Sequence, residues 1–164
     1  RLTALSCLCA MCSMLPERES AEEFFQKTLE QIALLSFDGW AERYARWETE
    51  LLKTLGFGLD LSVCAATGTT QDLIYVSPKS GRAVSRKAGE PWRDKLLALP
   101  DFLRNETSAP QSGEEIKKAL ILTGFFLENY VLKTLDCSIP AVRGRLVDYV
   151  SGRETVDHQG LQNE

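Results

Sequence analysis

The stretch from Leu55 to Trp92, LGFGLDLSVCAATGTTQDLIYVSPKSGRAVSRKAGEPW, limits what the rest of the chain can become. It holds five of the eleven glycines and two of the six prolines. Both residue types break helices, so no helix runs through it. The sequence on either side has helical periodicity. Leu73-Ile74-Tyr75-Val76 is β-branched and aromatic and predicts a strand. Arg82 to Ser85 predicts a second, and Ser77-Pro78-Lys79-Ser80-Gly81 supplies Pro and Gly as hairpin connections use them. The second half is basic. Lys79, Arg82, Arg86, Lys87, Arg93 and Lys95 stand against Glu90 and Asp94, a local charge of +4 in a chain whose net charge is −4. Charge concentrated in this way attracts anionic partners.

Upstream, Arg1 to Leu15 predicts a helix that stops before Pro16. Ser20 and Glu23 have capping-box spacing and open a second helix to about Leu35. Phe24, Leu29, Ile32, Ala33 and Leu35 supply its apolar positions, widened by Phe25 and Leu34. Asp38 is the expected cap of a third helix, Trp40 to Leu55. Trp40, Tyr44, Trp47, Leu51 and Leu55 step along it by four, three, four and four residues, a single stripe. Two Trp and a Tyr on one stripe suit either base stacking or a core, and the core is the commoner use. Gly56 ends the helix.

Downstream, Trp92 to Leu99 reads as a short helix or turn stopped by Pro100. Arg104 to Gly113 is a polar loop. Ser112 and Glu115 repeat the capping-box spacing and open the longest helix, Gly113 to about Leu135. Its apolar positions are Ile116, Ala119, Leu120, Thr123, Phe126, Leu127, Tyr130 and Val131. Asp136 to Pro140 breaks it, and a last helix runs from Ala141 to Val150. Ser151 to Glu164 is polar and holds the only histidine, His158. A length of 164 residues suits one domain.

Several chemistries lack their residues. The sole histidine lies in the tail, so Ser/His and Cys/His nucleophilic pairs have no base. Phosphate-loop and nucleophile-elbow motifs are missing. Gly56-Phe57-Gly58 has neither a third glycine nor a preceding strand, so it is no dinucleotide fingerprint. No catalytic residues are expected. Leu2 to Leu15 is apolar but interrupted by polar residues. A buried amphipathic helix suits it better than a signal-peptide core, and no run is long enough to span a bilayer. Of the five cysteines, Cys7, Cys9 and Cys12 crowd one apolar helix, facing different sides of it. That pattern suits buried small hydrophobes in a reducing cytosol rather than a disulfide framework. The hairpin module has the shape of a zinc ribbon, but zinc needs four ligands. Cys64 is present, while Thr67, Ser85 and Ala88 stand where the other thiolates belong. No cofactor is expected, zinc included.

Three segments together resemble the C-terminal part of the RecO family of DNA recombination and repair proteins. They are ELLKTLGFGLDLSVCAATG from Glu50, DLIYVSPKSGRAVSRKAGEPW from Asp72 and LLALPDFL from Leu96. The resemblance runs from about Leu2 to Val150. It implies a non-catalytic bacterial mediator, cytoplasmic and nucleoid-associated. Such a mediator binds single- and double-stranded DNA and anneals complementary strands. It engages the acidic, apolar-tipped C-terminal tail of the single-stranded-DNA-binding protein, and with RecR it helps load RecA. Many members carry four zinc cysteines, which map onto Cys64, Thr67, Ser85 and Ala88. The family's N-terminal OB-fold has no counterpart here, which with the Arg1 start implies residues upstream.

The expected fold class is mainly α: a helical bundle with an inserted zinc-ribbon-like β-hairpin module that lacks most zinc ligands. Its parts are a first helical half at 1–56, the module at 57–92, a second helical half at 93–150 and a polar tail at 151–164. Candidate contacts to DNA or an acidic partner are Lys79, Arg82, Arg86, Lys87, Arg93 and Lys95, with Arg143 and Arg145 added if the fold brings them near. The alternative is a pure protein-interaction domain. In that reading a groove between the Trp40–Leu55 and Ile116–Val131 helices takes the tail of the single-stranded-DNA-binding protein, or the chain binds RecR. DNA would then be left to the OB-fold.

Overall fold

Trp40, Tyr44, Trp47 and Leu51 occupy one side of a helix, and that side is the middle of the molecule. The computed structural model describes residues 1–15 and 22–152. The chain runs α1 (Leu2–Cys12), α2 (Glu22–Leu34), α3 (Trp40–Thr54), β1 (Leu73–Val76), β2 (Ala83–Ser85) and a short α4 (Arg86–Gly89). A 3₁₀ turn (Glu90–Lys95), β3 (Leu97–Ala98), a second 3₁₀ turn (Asp101–Leu103) and α5 (Gly113–Phe126) follow. A π-helical segment (Leu127–Leu132) carries α5 into α6 (Lys133–Leu135), and α7 (Ala141–Gly152) comes last. The fold is mainly helical with a small β insert, as expected.

Helix α3 packs on α2 and α5, and α7 closes over α1 and α5. On α1, Ala4, Cys7, Leu8 and Met11 form the buried stripe. Of the three cysteines expected to be buried, only Cys7 is; Cys12 is half-buried and Cys9 exposed, because steps of two and three residues turn them to different sides of the helix. Helix α2 departs from expectation. It buries Phe24, Thr28 and Gln31 and leaves Phe25, Leu29, Ile32 and Leu34 exposed. The cause lies in α3. The Trp47 indole donates to Thr28 Oγ1 at 2.9 Å, and Gln31 Nε2 donates to the Trp40 carbonyl at 3.2 Å. A buried indole N–H needs an acceptor, so the inward face of α2 is part polar.

The helix ends split between expectation and correction. Gly56 sits at φ +85°. Its N–H donates to the Lys53 carbonyl at 3.0 Å, and Phe57 N–H reaches Leu52 at 2.8 Å, a Schellman end. Asp38 is not the cap of α3; Gly39 is, at φ +74° and without a side-chain bond. Ser112 does cap α5 by position, but its hydroxyl makes no cap bond. The Glu115 carboxylate instead accepts from the Gln111 N–H at 2.8 Å. Ser20 lies outside the described residues, as does 153–164 with His158, whereas Ser151 and Gly152 belong to α7.

The sheet has the order β2-β1-β3, all antiparallel. Strand β2 begins at Ala83, because Arg82 forms a separate bridge with Asp60. Past Trp92, the expected helix or turn is a 3₁₀ turn followed by β3, whose Ala98 pairs with Tyr75.

Candidate nucleic-acid and partner interface

The hairpin is fixed to the helical body at its turn. Tyr130 Oη donates to the Pro78 carbonyl at 2.6 Å. Its ring stacks on Phe126, 5.6 Å between centroids, and Phe126 also approaches Gly81. Gly81 holds φ +65°, and a Cβ there would meet Leu59 at 3.2 Å. Tyr130 lies in the π segment. A π turn rotates the residues after it relative to a regular helix and recurs at functional sites. The module therefore presents its cations from a fixed frame.

Lys79, Arg82, Arg86, Lys87, Arg93 and Lys95 are all exposed. Three of them meet carboxylates. Arg82 Nε lies 3.3 Å from Asp60 and Arg86 Nε 3.1 Å from Asp72. Arg93 lies 3.5 Å from Glu90 and 3.8 Å from Asp94. Ser62 hydrogen bonds and Arg82 hold the Asp60 carboxyl below its usual range. With Asp60 and Asp72 included, six cations face four carboxylates, and the net charge falls to +2. Exposed pairs of this kind are worth about 0–1 kcal/mol, so an incoming phosphate can replace the carboxylate. Lys79 and Lys87 have no carboxylate within 4 Å among the described residues.

The two outlying candidates separate. Arg143 does not belong to the surface set. It is 6% exposed and bonded through Nε and Nη2 to Glu48, both at 2.8 Å. A side chain so enclosed cannot reach a phosphate. Arg145 is exposed on α7, a helix packed on α1 and α5. The expected groove between α3 and α5 is closed, since the two helices pack directly and the Glu48–Thr123–Arg143 cluster fills their seam. Two grooves lie where the sheet and its flanking loops meet the helices. A groove of about 500 Å³ is lined by Leu73, Ile74, Leu99 and Pro100, with Arg86, Arg104, Lys118, Asp72, Asp101 and Glu115 around them. A smaller one of about 250 Å³ lies between α3 and Leu59–Ser62.

Three of the residues at the zinc-ribbon positions, Cys64, Thr67 and Ser85, meet as a hydrogen-bonded cluster. Ser85 N–H donates to Cys64 Sγ at 3.2 Å, and Ser85 Oγ lies 3.4 Å away. Burial pushes the Cys64 thiol up. Hydrogen bonds from the Ser85 and Thr67 hydroxyls and from the Ser85 and Ala66 N–H groups outweigh it and bring the thiol down to about 6. One thiolate, two hydroxyls and the Ala88 methyl do not fit zinc, which takes thiolate, imidazole or carboxylate. Among the described residues no three such groups cluster elsewhere.

Local charge counting passes over two features. Asp60 and Asp72 reach the basic residues across loops. Trp92 is 58% exposed with Lys95 Nζ 5.5 Å from its ring centroid.

A helical domain bearing a zinc-ribbon-shaped, basic hairpin is the class that this fold and site define. The family model described as "Recombination protein O C terminal" matches residues 1–136. The chain is 48% identical over 151 residues to the DNA repair protein RecO of Rhodospirillum centenum, covering 90% of this chain and 60% of that one. It is 44% identical over 155 residues to the protein of the same name from Rhodospirillum rubrum (90% and 62%). A third, from Rhodopseudomonas palustris, is 50% identical over 150 residues (88% and 59%). The chain belongs to the RecO family of DNA repair proteins. It spans about 60% of the length of these curated relatives. No solved structure matches it significantly.

Proposed function

We propose that this chain is the C-terminal, non-catalytic part of a DNA repair and recombination mediator. It binds single- and double-stranded DNA through the hairpin face and contributes to strand annealing and RecA loading with RecR. The observation that carries this reading is a set of exposed cations on a module held rigidly to the helical body by Tyr130. Rigid presentation lowers the entropy lost on binding. The contacts are to phosphates, so binding is salt-dependent and weakly selective for sequence. The charge pairs on the surface leave Lys79 and Lys87 as the first contacts and Arg82 and Arg86 as exchangeable ones.

Titrating the 164-residue chain with labelled oligonucleotide at low salt tests this. Reversing Arg82, Arg86 and Lys87 to Glu weakens binding. Unchanged affinity in that variant excludes the hairpin face.

A second reading is a protein-interaction domain that binds the tail of the single-stranded-DNA-binding protein or RecR. The groove between the sheet and α5 favours it. Its Leu73, Leu99 and Pro100 suit an apolar tip, and its Arg86, Arg104 and Lys118 suit acidic residues. Peptide binding without DNA binding supports this reading over the first.

A further inference from the structure

We propose that Trp92 is a stacking platform for an unpaired base, so that the hairpin face prefers single-stranded over double-stranded DNA. The proposal rests on the DNA-binding reading and adds to it a residue and a strand preference.

Trp92 is 58% exposed, whereas Trp40 and Trp47 are 3% and 4% exposed. An indole left in water forfeits the stabilisation that burying its apolar area would bring. This one lies among charges of both signs, with Arg93 paired to Glu90 and Asp94 and Lys95 beside the ring. Lys95 sits over the ring and Arg93 is adjacent, with Lys87 one short helix earlier. A ring that offers a π-face with a lysine ammonium beside it is the kind of arrangement that binds single strands without reading sequence. Paired bases in a duplex expose no face for such a ring, so the platform discriminates by strandedness.

The support beneath the ring is firm. Trp92 stands on the Glu90–Lys95 turn, started by Pro91. That turn is pressed onto the sheet at Gly89, where an added Cβ would lie 2.5 Å from the Tyr75 ring and 2.9 Å from Leu96. The close approach fixes the turn against β1, and stacking on it orders little that is not already ordered.

Intrinsic fluorescence isolates the site, because Trp92 is the exposed one of the three tryptophans. Adding single-stranded oligonucleotide is expected to quench the emission and protect it from acrylamide, with no such change for Trp92→Phe. Trp92→Ala is expected to lose about tenfold in affinity for single strands and little for duplex, with Trp92→Phe in between. Thermal melts of both variants should match the parent, since the ring is outside the core. Wild-type affinity in Trp92→Ala, or equal losses for single strand and duplex, overturns the proposal. If the Arg82, Arg86 and Lys87 reversal abolishes binding while Trp92→Ala does not alter it, the stacking role alone falls. If the chain binds no DNA, both readings fall.

Discussion

Glu48 is wholly buried, yet every part of its carboxylate has a donor. Tyr44 Oη gives one bond at 2.9 Å, Thr123 Oγ1 another, and Arg143 two more. Since Tyr44 spends its proton on Glu48, the Cys7 thiol donates to Tyr44 Oη at 3.0 Å. Burial and the Glu48 charge together push the Tyr44 hydroxyl well up. Gly124 leaves room for Arg143, whose Nη1 lies 2.6 Å from where a Cβ would be. Removing one charge strands the other. Arg143→Met or Glu48→Gln should therefore lose about 3–5 kcal/mol in urea unfolding. The double variant Glu48→Leu/Arg143→Met should lose less than the sum of Glu48→Leu and Arg143→Met measured singly. Both charges sit on apolar stripes: Arg143 with Leu146 and Val150, and Glu48 with Tyr44 and Leu51. That spacing was legible. A reading that took Arg143 as a surface cation weighed its charge and not its phase. Cys64 provides a second test at this scale. Its folded value near 6 lies below the ordinary 9.0, so the unfolded chain binds more protons between them. Stability should rise with pH across that window and lose this contribution as pH falls through about 6. A thiolate absorbance titration against Cys64→Ser should show a midpoint near 6.

At the scale of elements, the two ends of α3 are set differently. Gly56 was legible because a Schellman end needs a positive φ, which glycine adopts freely. Gly56→Ala should cost about 1 kcal/mol, read as a lowered melting temperature. Asp38 has cap chemistry but not the cap, because the backbone enters α3 through Gly39 at φ +74°. Arg43 reaches back to the Asp38 carbonyl at 2.7 Å. The hairpin illustrates the same division. Strand β1 and its turn follow from residue type, while β3 is two residues whose pairing with β1 is a tertiary event. The π segment has no local signature either, yet it sets Tyr130 on the hairpin turn. Tyr130→Phe keeps the ring stack and removes the bond to Pro78. Faster amide exchange in the Ser77–Gly81 turn, with global stability lowered by about 1 kcal/mol, is the expected outcome.

For the whole molecule, the balance of charge decides what approaches. A chain at −4 presents a face at +2 after its ion pairs form, so steering is local and screened within about 10 Å at 0.1 M salt. DNA affinity should fall steeply with salt, and the Lys79→Glu/Lys87→Glu variant should show a shallower log–log slope. An unchanged slope removes these two lysines from the contact set. What the sequence alone determined was local: the phase of α3 and α5, a glycine-terminated helix end, the strand and turn chemistry of the module, and a family signature spread over Glu50–Leu103. Those properties depend on residues a few positions apart. Tertiary structure alone decided the pairing of Glu48 with a residue 95 positions away and of Arg82 with Asp60. It also decided the exposure of Trp92, whereas the stripe periodicity already pointed Trp40 and Trp47 to the core. Charge and aromaticity are properties of a residue. Whether water or another side chain satisfies them depends on which distant element folds against it.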